Sequence, residues 1–150
     1  LNRVSEDPWL QDMLRQRAAR KQVTALTPHP LEAARLLGSS TAQVQADRLS
    51  AAKHLAERFA CCVVLKGSGT VIAMPGHTAR INTTGNGLLA TGGTGDVLAG
   101  LLGARLAALN DVSNNAWQAA CGAVWAHGHA ADEWPTDHAL TANRLSERLR

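Results

Sequence analysis

A glycine-rich turn that carries one acidic residue is the part of the sequence most suggestive of chemistry. Ten of the 13 glycines lie between positions 67 and 103, and Asp96 is the single carboxylate between Arg58 and Asn110. It ends the run Gly92-Gly93-Thr94-Gly95-Asp96, where a helical pattern begins. The N–H groups of such a turn can bind an anion, and a carboxylate beside that anion can act as a general base. Stabilisation of the helix start is the alternative explanation, and it stays open here.

A second glycine-rich turn, Lys66-Gly67-Ser68-Gly69-Thr70, follows an apolar run that predicts a strand buried on both faces. The turn could simply close a tight hairpin. However, ligands of open α/β sheets bind at the carboxyl ends of strands, and a lysine at that position suits a phosphate. One turn after a strand and another at the start of a helix together indicate a nucleotide site.

His29 stands between Pro28 and Pro30, in a loop expected to follow the first strand. That position would place it at the same sheet edge as the lysine turn, where open α/β sheets bind their ligands. A lone histidine is more often an ordinary surface residue, and this alternative also stays open. His127 and His129 are two positions apart in one predicted helix, so their side chains point in different directions and are not expected to bind one metal ion together.

The composition excludes several classes of protein. The charge of 15 − 12 = +3 is scattered over 150 residues, and aromatic residues make up 3%, so a nucleic-acid partner is not expected. No apolar run approaches the roughly 20 residues that span a bilayer, and no secretory pattern opens the chain, so neither a membrane partner nor export is expected. The three cysteines lack the spacing of a disulfide or zinc site, so they are predicted to be reduced thiols. We therefore expect a soluble, cytoplasmic protein.

The hydrophobic periodicity predicts helices that alternate with strands. Helical patterns run over Ser5–Arg20, Pro30–Leu37, Thr41–Phe59, Thr94–Leu109, Val112–Glu133 and Thr141–Leu149, and strand patterns over Val23–Leu26, Cys61–Leu65, Thr70–Met74 and Thr78–Asn82. This alternation predicts an α/β fold with a largely parallel sheet.

With these motifs in order, the chain resembles the ADP- or ATP-dependent NAD(P)H-hydrate dehydratase family of the ribokinase-like superfamily. The family's T-P-H-P-G-E, K-G-x-G-T and long glycine-rich signatures match residues 27–32, 66–70 and 84–100, with Leu31 and the pair Gly87-Leu88 as departures. The resemblance implies a three-layer αβα sandwich with a mostly parallel central sheet. Residues 1–150 would form the carboxyl-terminal part of one such domain.

The resemblance also implies a reaction. Hydrated NADH or NADPH, as the S epimer, would be dehydrated with ADP or ATP as phosphoryl donor, giving AMP or ADP and phosphate. Asp96 would be the base and contact the substrate, as would His29. The implied anion hole consists of the N–H groups of Gly93, Thr94 and Gly95, and the implied nucleotide-binding residues are Lys66, Gly67, Ser68, Gly69, Thr70 and Gly95. Mg²⁺ would accompany the phosphates without a set of protein ligands, with Glu32 ordering it through water.

Two alternatives to this reaction remain at the level of sequence. A small-molecule kinase of the same superfamily, such as a vitamin-precursor kinase, would stop at the phosphorylated product, although such kinases commonly have Asn where this chain has His29. A nucleotide-binding fragment without turnover is the other. The resemblance further implies a homo-oligomer and a fused or separate epimerase domain. It does not distinguish ADP from ATP.

Overall fold

A four-stranded sheet forms the centre of the molecule. The computed structural model describes residues 1–109 and 111–149, with the backbone alone for residues 112–114. The strands are β1 (Ala25–Leu26), β2 (Cys62–Leu65), β3 (Val71–Ala73) and β4 (Arg80–Ile81), and they lie in the order 1-2-3-4. β1 pairs with β2 in parallel, whereas β2 with β3 and β3 with β4 pair antiparallel.

The predicted α/β class is confirmed, but the prediction of a mostly parallel sheet is wrong for the described residues. Only five residues, 66–70, connect β2 to β3, and six, 74–79, connect β3 to β4. A parallel crossover needs about a dozen residues or more, so both connections can only make hairpins. The long connection from β1 to β2 carries helices and does produce a parallel pair.

Eight α-helices and one 3₁₀ helix surround the sheet in the described residues. They are α1 (Asn2–Glu6), α2 (Pro8–Ala19), α3 (Pro30–Leu37), α4 (Thr41–Ala46), α5 (Arg48–Phe59), the 3₁₀ helix (Gly87–Ala90), α6 (Thr94–Ala107), α7 (Val112–Asp132) and α8 (Ala142–Arg148). Except where a predicted helix is divided, the predicted bounds agree with these within two residues. None of the described helices combines the length and the apolar character needed to cross a membrane.

Aspartates divide two of the predicted helices. Ser5–Arg20 is interrupted at Asp7, whose carboxylate accepts the N–H of Trp9 at 3.0 Å and so caps α2. Thr41–Phe59 is interrupted at Asp47, which has an extended φ of −144° and accepts the N–H of Ser50 at 2.9 Å. An aspartate that captures the N–H groups ahead of it favours a new helix start over helix continuation.

The strand β2 separates two hydrophobic layers, as its apolar run predicts. Cys61, Val63 and Leu65 point to one face, and Cys62 and Val64 point to the other. The first layer is filled mainly by α3, α4 and α5, through Leu36, Val44, Leu55 and Phe59, and the second by α6 and α7, through Leu98, Leu102, Trp117 and Val124. The sheet therefore lies between two helical layers. Burial raises the pKa of Cys61 and Cys62 to about 12, which keeps both as thiols.

The segment after β4 is held against α7 by hydrogen bonds. The Thr84 hydroxyl donates to the carbonyl of Trp125 at 3.0 Å, the N–H of Gly85 to the carboxylate of Asp132 at 2.8 Å, and the Asn86 amide to the carbonyl of Ala131 at 2.8 Å. These three bonds fix a loop that has little regular structure of its own.

Gly128 allows this close approach, and we predict that Gly128→Ala destabilises the protein. A Cβ at position 128 would lie 2.7 Å from the carbonyl carbon and oxygen of Thr84 and would also collide with its Oγ1, so α7 and the loop must separate. We expect a loss of about 1–3 kcal/mol in the free energy of unfolding, measured by urea denaturation.

Gly103→Ala in α6 is the matched control, because nothing lies within 4 Å of a Cβ there. In a helix, alanine is favoured over glycine by up to about 1 kcal/mol, so this variant should be as stable as the wild type or more stable. Equal stability of the Gly128→Ala protein and the wild type would contradict the predicted collision.

Candidate functional site

A cavity of about 420 Å³ opens at the carboxyl end of β2. Its walls come from the turn after β2, the segment after β4, the start of α6 and the middle of α7. The lining residues are Lys66, Gly67, Ser68, Gly69, Thr70, Asn82, Thr84, Gly85, Asn86, Gly87, Leu89, Ala90, Thr94, Gly95, Leu98, Val124, His127 and Gly128. The two glycine-rich turns that the sequence singles out thus meet at one cavity.

Lys66 joins the two turns. Its ammonium reaches the start of α6, where a Cβ on Gly95 would lie 3.2 Å from Nζ. Among the described residues this ammonium has no hydrogen bond or ion pair, so its charge is available to a ligand. The backbone N–H of Lys66 donates to the carbonyl of Pro28 at 2.9 Å, which links the loop after β1 to the turn after β2. A free cation therefore faces the positive end of a helix, an arrangement that calls for an anion.

Several backbone donors of the two turns are unused. In the described part of the chain, the N–H groups of Gly67, Ser68 and Gly69 have no hydrogen-bond partner, and neither do those of Gly93 and Gly95. Of the three N–H groups predicted to form the anion hole, that of Thr94 donates to the carbonyl of Thr91 at a long 3.4 Å. Free N–H groups next to a cation favour phosphate oxygens.

Asp96 lies in the first turn of α6, and its side chain is exposed. The residue that caps this helix is Gly93, with φ +87°, and no side chain bonds to the helix end. Within the described residues the Asp96 carboxylate has no hydrogen bond or ion pair, so capping by hydrogen bonding does not explain it. Neither Asp96 nor Gly93 lines the cavity itself; both lie beside the lining residues Thr94 and Gly95.

His29 follows β1 and has a clear structural role. Its Nδ1 accepts the N–H of Glu32 at 3.3 Å, and the Glu32 carboxylate accepts the N–H of His29 at 2.9 Å, which makes a capping box at the start of α3. The imidazole is half-exposed and does not line the cavity. A role for His29 in substrate binding therefore stays a prediction, as does the water-mediated role of Glu32 near magnesium.

Two residues that the sequence analysis did not select hold this site together. His127 is 6% exposed, and its Nε2 lies 2.9 Å from the carbonyl oxygen of Thr94, so α7 is tied to the first turn of α6. Arg48, the first residue of α5, donates to carbonyls of the lysine turn. His127 could have been selected because it is a polar residue within an otherwise apolar helical stretch. Arg48 gives no comparable signal in the sequence.

The pKa of His127 is lowered from its usual 6.5, because burial disfavours the imidazolium; the bond to Thr94 partly opposes this. The unfolded chain therefore binds a proton at higher pH than the folded chain does. We predict that the free energy of unfolding decreases as the pH falls below about 6.5 and that His127→Gln removes part of this decrease. Urea denaturation at several pH values from about 7.5 to 5.5 measures it.

His129→Gln is the control, since His129 is exposed and stacks on Trp125 with ring centroids 4.6 Å apart. It makes the same substitution two positions along the same helix, and it should change the dependence of stability on pH less than His127→Gln does. An unchanged pH dependence in the His127→Gln protein would contradict the assignment to His127.

Comparisons with known proteins agree with the motifs. A family model described as NAD(P)H-hydrate dehydratase matches residues 9–150. The chain is 50% identical over 124 residues to the ADP-dependent (S)-NAD(P)H-hydrate dehydratase of Neisseria meningitidis, which covers 83% of this chain and 40% of that protein. It is 48% identical over 107 residues to the bifunctional NAD(P)H-hydrate repair enzyme of Escherichia coli, covering 71% of this chain and 20% of that one.

The fold is similar to that of solved structures. The ADP/ATP-dependent NAD(P)H-hydrate dehydratase of Bacillus subtilis, co-crystallised with ATP and Mg²⁺, superposes with a TM-score of 0.77 at 39% identity over 85% of this chain and 46% of that one. A ribokinase-like protein of Enterococcus faecalis gives 0.70 at 26% identity over 95% of this chain and 57% of that one. The chain spans less than half the length of the dehydratases it matches. On these matches and on its motifs, the chain belongs to the NAD(P)H-hydrate dehydratase family.

Proposed function

We propose that the protein containing this chain dehydrates the S epimer of hydrated NADH or NADPH, with ADP or ATP as phosphoryl donor. The observation that carries the proposal is the meeting of the Lys66 ammonium with the start of α6 at Gly95, next to the unpartnered carboxylate of Asp96. Support also comes from the relatives, two of which are named as dehydratases of this substrate. Residues 1–150 would supply the nucleotide-binding part of one domain.

The nucleotide would bind along the cavity with its phosphates at the lysine turn. The free N–H groups of Gly67, Ser68 and Gly69 would donate to phosphate oxygens, and the Lys66 ammonium would offset their negative charge. At Gly95 the N–H adds a donor at the end of a helix dipole. These N–H groups would contact the α- and β-phosphates of ADP or the β- and γ-phosphates of ATP in the same way, so the site would accept either nucleotide.

Asp96 would remove the proton from the ring hydroxyl as that oxygen attacks the terminal phosphorus. The new oxygen–phosphorus bond forms as the bridging bond of the nucleotide breaks, which releases AMP from ADP or ADP from ATP. The free N–H groups of Gly93 and Gly95 would stabilise the charge on the transferred phosphoryl group. The N–H of Thr94 would join them when its long hydrogen bond to the carbonyl of Thr91 breaks.

The second half of the reaction removes phosphate. Hydroxide is a poor leaving group, which is why the hydroxyl would first be phosphorylated. The lone pair of the ring nitrogen would then expel phosphate, and loss of a proton from the neighbouring ring carbon would restore the double bond. His29 is proposed to contact the hydrated dinucleotide from the loop after β1.

Among the described residues, no group of three or more His, Cys, Asp or Glu side chains is placed to hold a metal ion. Magnesium is usually held by one or two carboxylates together with the phosphates of its substrate. We propose that Mg²⁺ enters on the nucleotide phosphates, with Glu32 ordering it through water, and we assign no step to it.

The setting of the protein is also proposed. Free cysteines in both helical layers suit a reducing cytoplasm. The E. coli relative is named as bifunctional, which supports an epimerase domain fused to this protein or working beside it. A homo-oligomer is proposed from the family resemblance.

Recovery of the reduced-nicotinamide absorbance from hydrated NADH in the presence of ADP or ATP tests the function directly. A stable phosphorylated product without recovery would instead support a small-molecule kinase. Nucleotide binding with neither product would support a binding module without turnover.

We predict that Asp96→Asn in the full-length protein abolishes dehydration and leaves folding intact. Loss of a general base lowers the rate by roughly 10²–10⁴-fold. Asparagine keeps the shape of the side chain, so the free energy of unfolding should change by no more than about 0.5 kcal/mol. Removal of a negative charge should leave the affinity for ADP unchanged or raise it. Turnover, thermal melting and ADP titration on one preparation measure all three.

Glu57→Gln is the matched control, because it removes an exposed carboxylate from α5, away from the cavity. It should turn over at the wild-type rate. If the Asp96→Asn protein turned over within a few-fold of the wild-type rate, Asp96 would not be the base and would only stabilise the start of α6 through the helix dipole.

A further inference from the structure

The guanidinium of Arg48 binds the backbone of the lysine turn. Its Nη1 donates to the carbonyl of Ser68, and its Nη2 donates to the carbonyl of Leu65 at 3.2 Å. Its Nε is buried without a hydrogen-bond partner in the described part of the chain, and burial lowers the pKa of the group. Arg48 does not line the cavity. A cation has thus been partly removed from water to bind two backbone carbonyls.

Gly67 fits directly against this guanidinium. Its φ is +147°, and a Cβ there would lie 2.7 Å from Nη2 of Arg48 and 3.1 Å from Cζ. The absence of a side chain at position 67 therefore allows Arg48 to reach both carbonyls. The turn and the arginine interlock, although 17 or more positions separate them in the sequence.

The hydrogen bonds of the turn are divided between its two sides. The carbonyls of Leu65 and Ser68 accept from Arg48, and that of Gly67 accepts from the Thr70 hydroxyl at 3.1 Å. A trans peptide directs its N–H opposite to its carbonyl, so the N–H of Gly69 points away from Arg48 when the Ser68 carbonyl points towards it. The carbonyls of Leu65, Gly67 and Ser68 thus accept hydrogen bonds within the protein, whereas the N–H groups of Gly67, Ser68 and Gly69 have no partner in the described part of the chain.

We propose that Arg48 is a positioning residue for nucleotide binding: it fixes the carbonyl of Ser68, which presents the N–H of Gly69 to a phosphate, and its bond to the carbonyl of Leu65 anchors the start of the turn. The inference rests on the proposed function of this turn. It explains why a charged side chain outside the cavity is partly buried beneath the turn. Arg48 acts through the backbone and does not touch the nucleotide.

Arg48→Met and Arg48→Lys in the full-length protein test this role. Methionine leaves both carbonyls without a donor, and a lysine ammonium lacks the planar fork that reaches two carbonyls at once. By calorimetric titration with ADP, we expect Kd to rise roughly 10- to 100-fold in Arg48→Met and less in Arg48→Lys. The KM for ADP should rise in parallel, while kcat at saturating ADP stays within about threefold, because Asp96 is not touched.

Lys53→Met is the matched control, because it removes one positive charge from the exposed side of the same helix. It should bind ADP as the wild type does. If the Kd of Lys53→Met for ADP rose as much as that of Arg48→Met, a general effect of charge would explain both and the proposal would be overturned. Wild-type ADP affinity in a folded Arg48→Lys or Arg48→Met protein would also overturn it, and loss of folding in both would assign Arg48 to fold stability instead.

ADP binding by the wild-type protein distinguishes failure of the proposed function from failure of the positioning role. A wild-type protein that binds no ADP would refute the nucleotide function itself. Wild-type binding that persists unchanged in the Arg48 variants would refute only the positioning role.

Discussion

The burial of β2 on both faces is the constraint on which the remaining structure depends. Its four residues separate two hydrophobic layers, and helices from before and after it in the chain pack on opposite sides. A strand in this position cannot shift by one residue without exchanging the contents of the two layers. Its register therefore fixes where Lys66 leaves the sheet. The start of α6, packed on the second layer through Leu98 and Leu102, is fixed relative to that lysine by the same contacts.

Close approach explains three of the glycines that line the cavity. Gly67 lies against Arg48, Gly95 against the Lys66 ammonium, and Gly128 against Thr84. At each position a side chain would occupy space that a functional or bridging group already fills. The cavity is consequently lined to a large extent by backbone, and its free N–H groups can reach a ligand without displacing side chains.

The charges of the site follow from the same arrangement. Lys66 and the helix dipole of α6 offer positive potential, and the nearby acid, Asp96, is exposed rather than paired with the lysine. A salt bridge between them would cancel the charge that a phosphate needs. Arg48 does not line the cavity, and its bond to the Ser68 carbonyl directs the N–H of Gly69 away from the guanidinium.

The sequence by itself determined the element types, the buried strand and the two glycine-rich turns, because periodicity and glycine spacing are local properties of the chain. It left the strand directions open. The alternation of helices and strands favoured a largely parallel sheet, but the tight hairpin considered for residues 66–70 is what forms, because connections of five and six residues make only hairpins. The sequence also did not reveal that Asp7 and Asp47 start new helices, or that His127 and Arg48 support the site. The Asp7 and Asp47 caps are local, joining residues two or three positions apart. The contacts of Arg48 and His127 join residues 17 to 33 positions apart, and only packing around β2 brings these together.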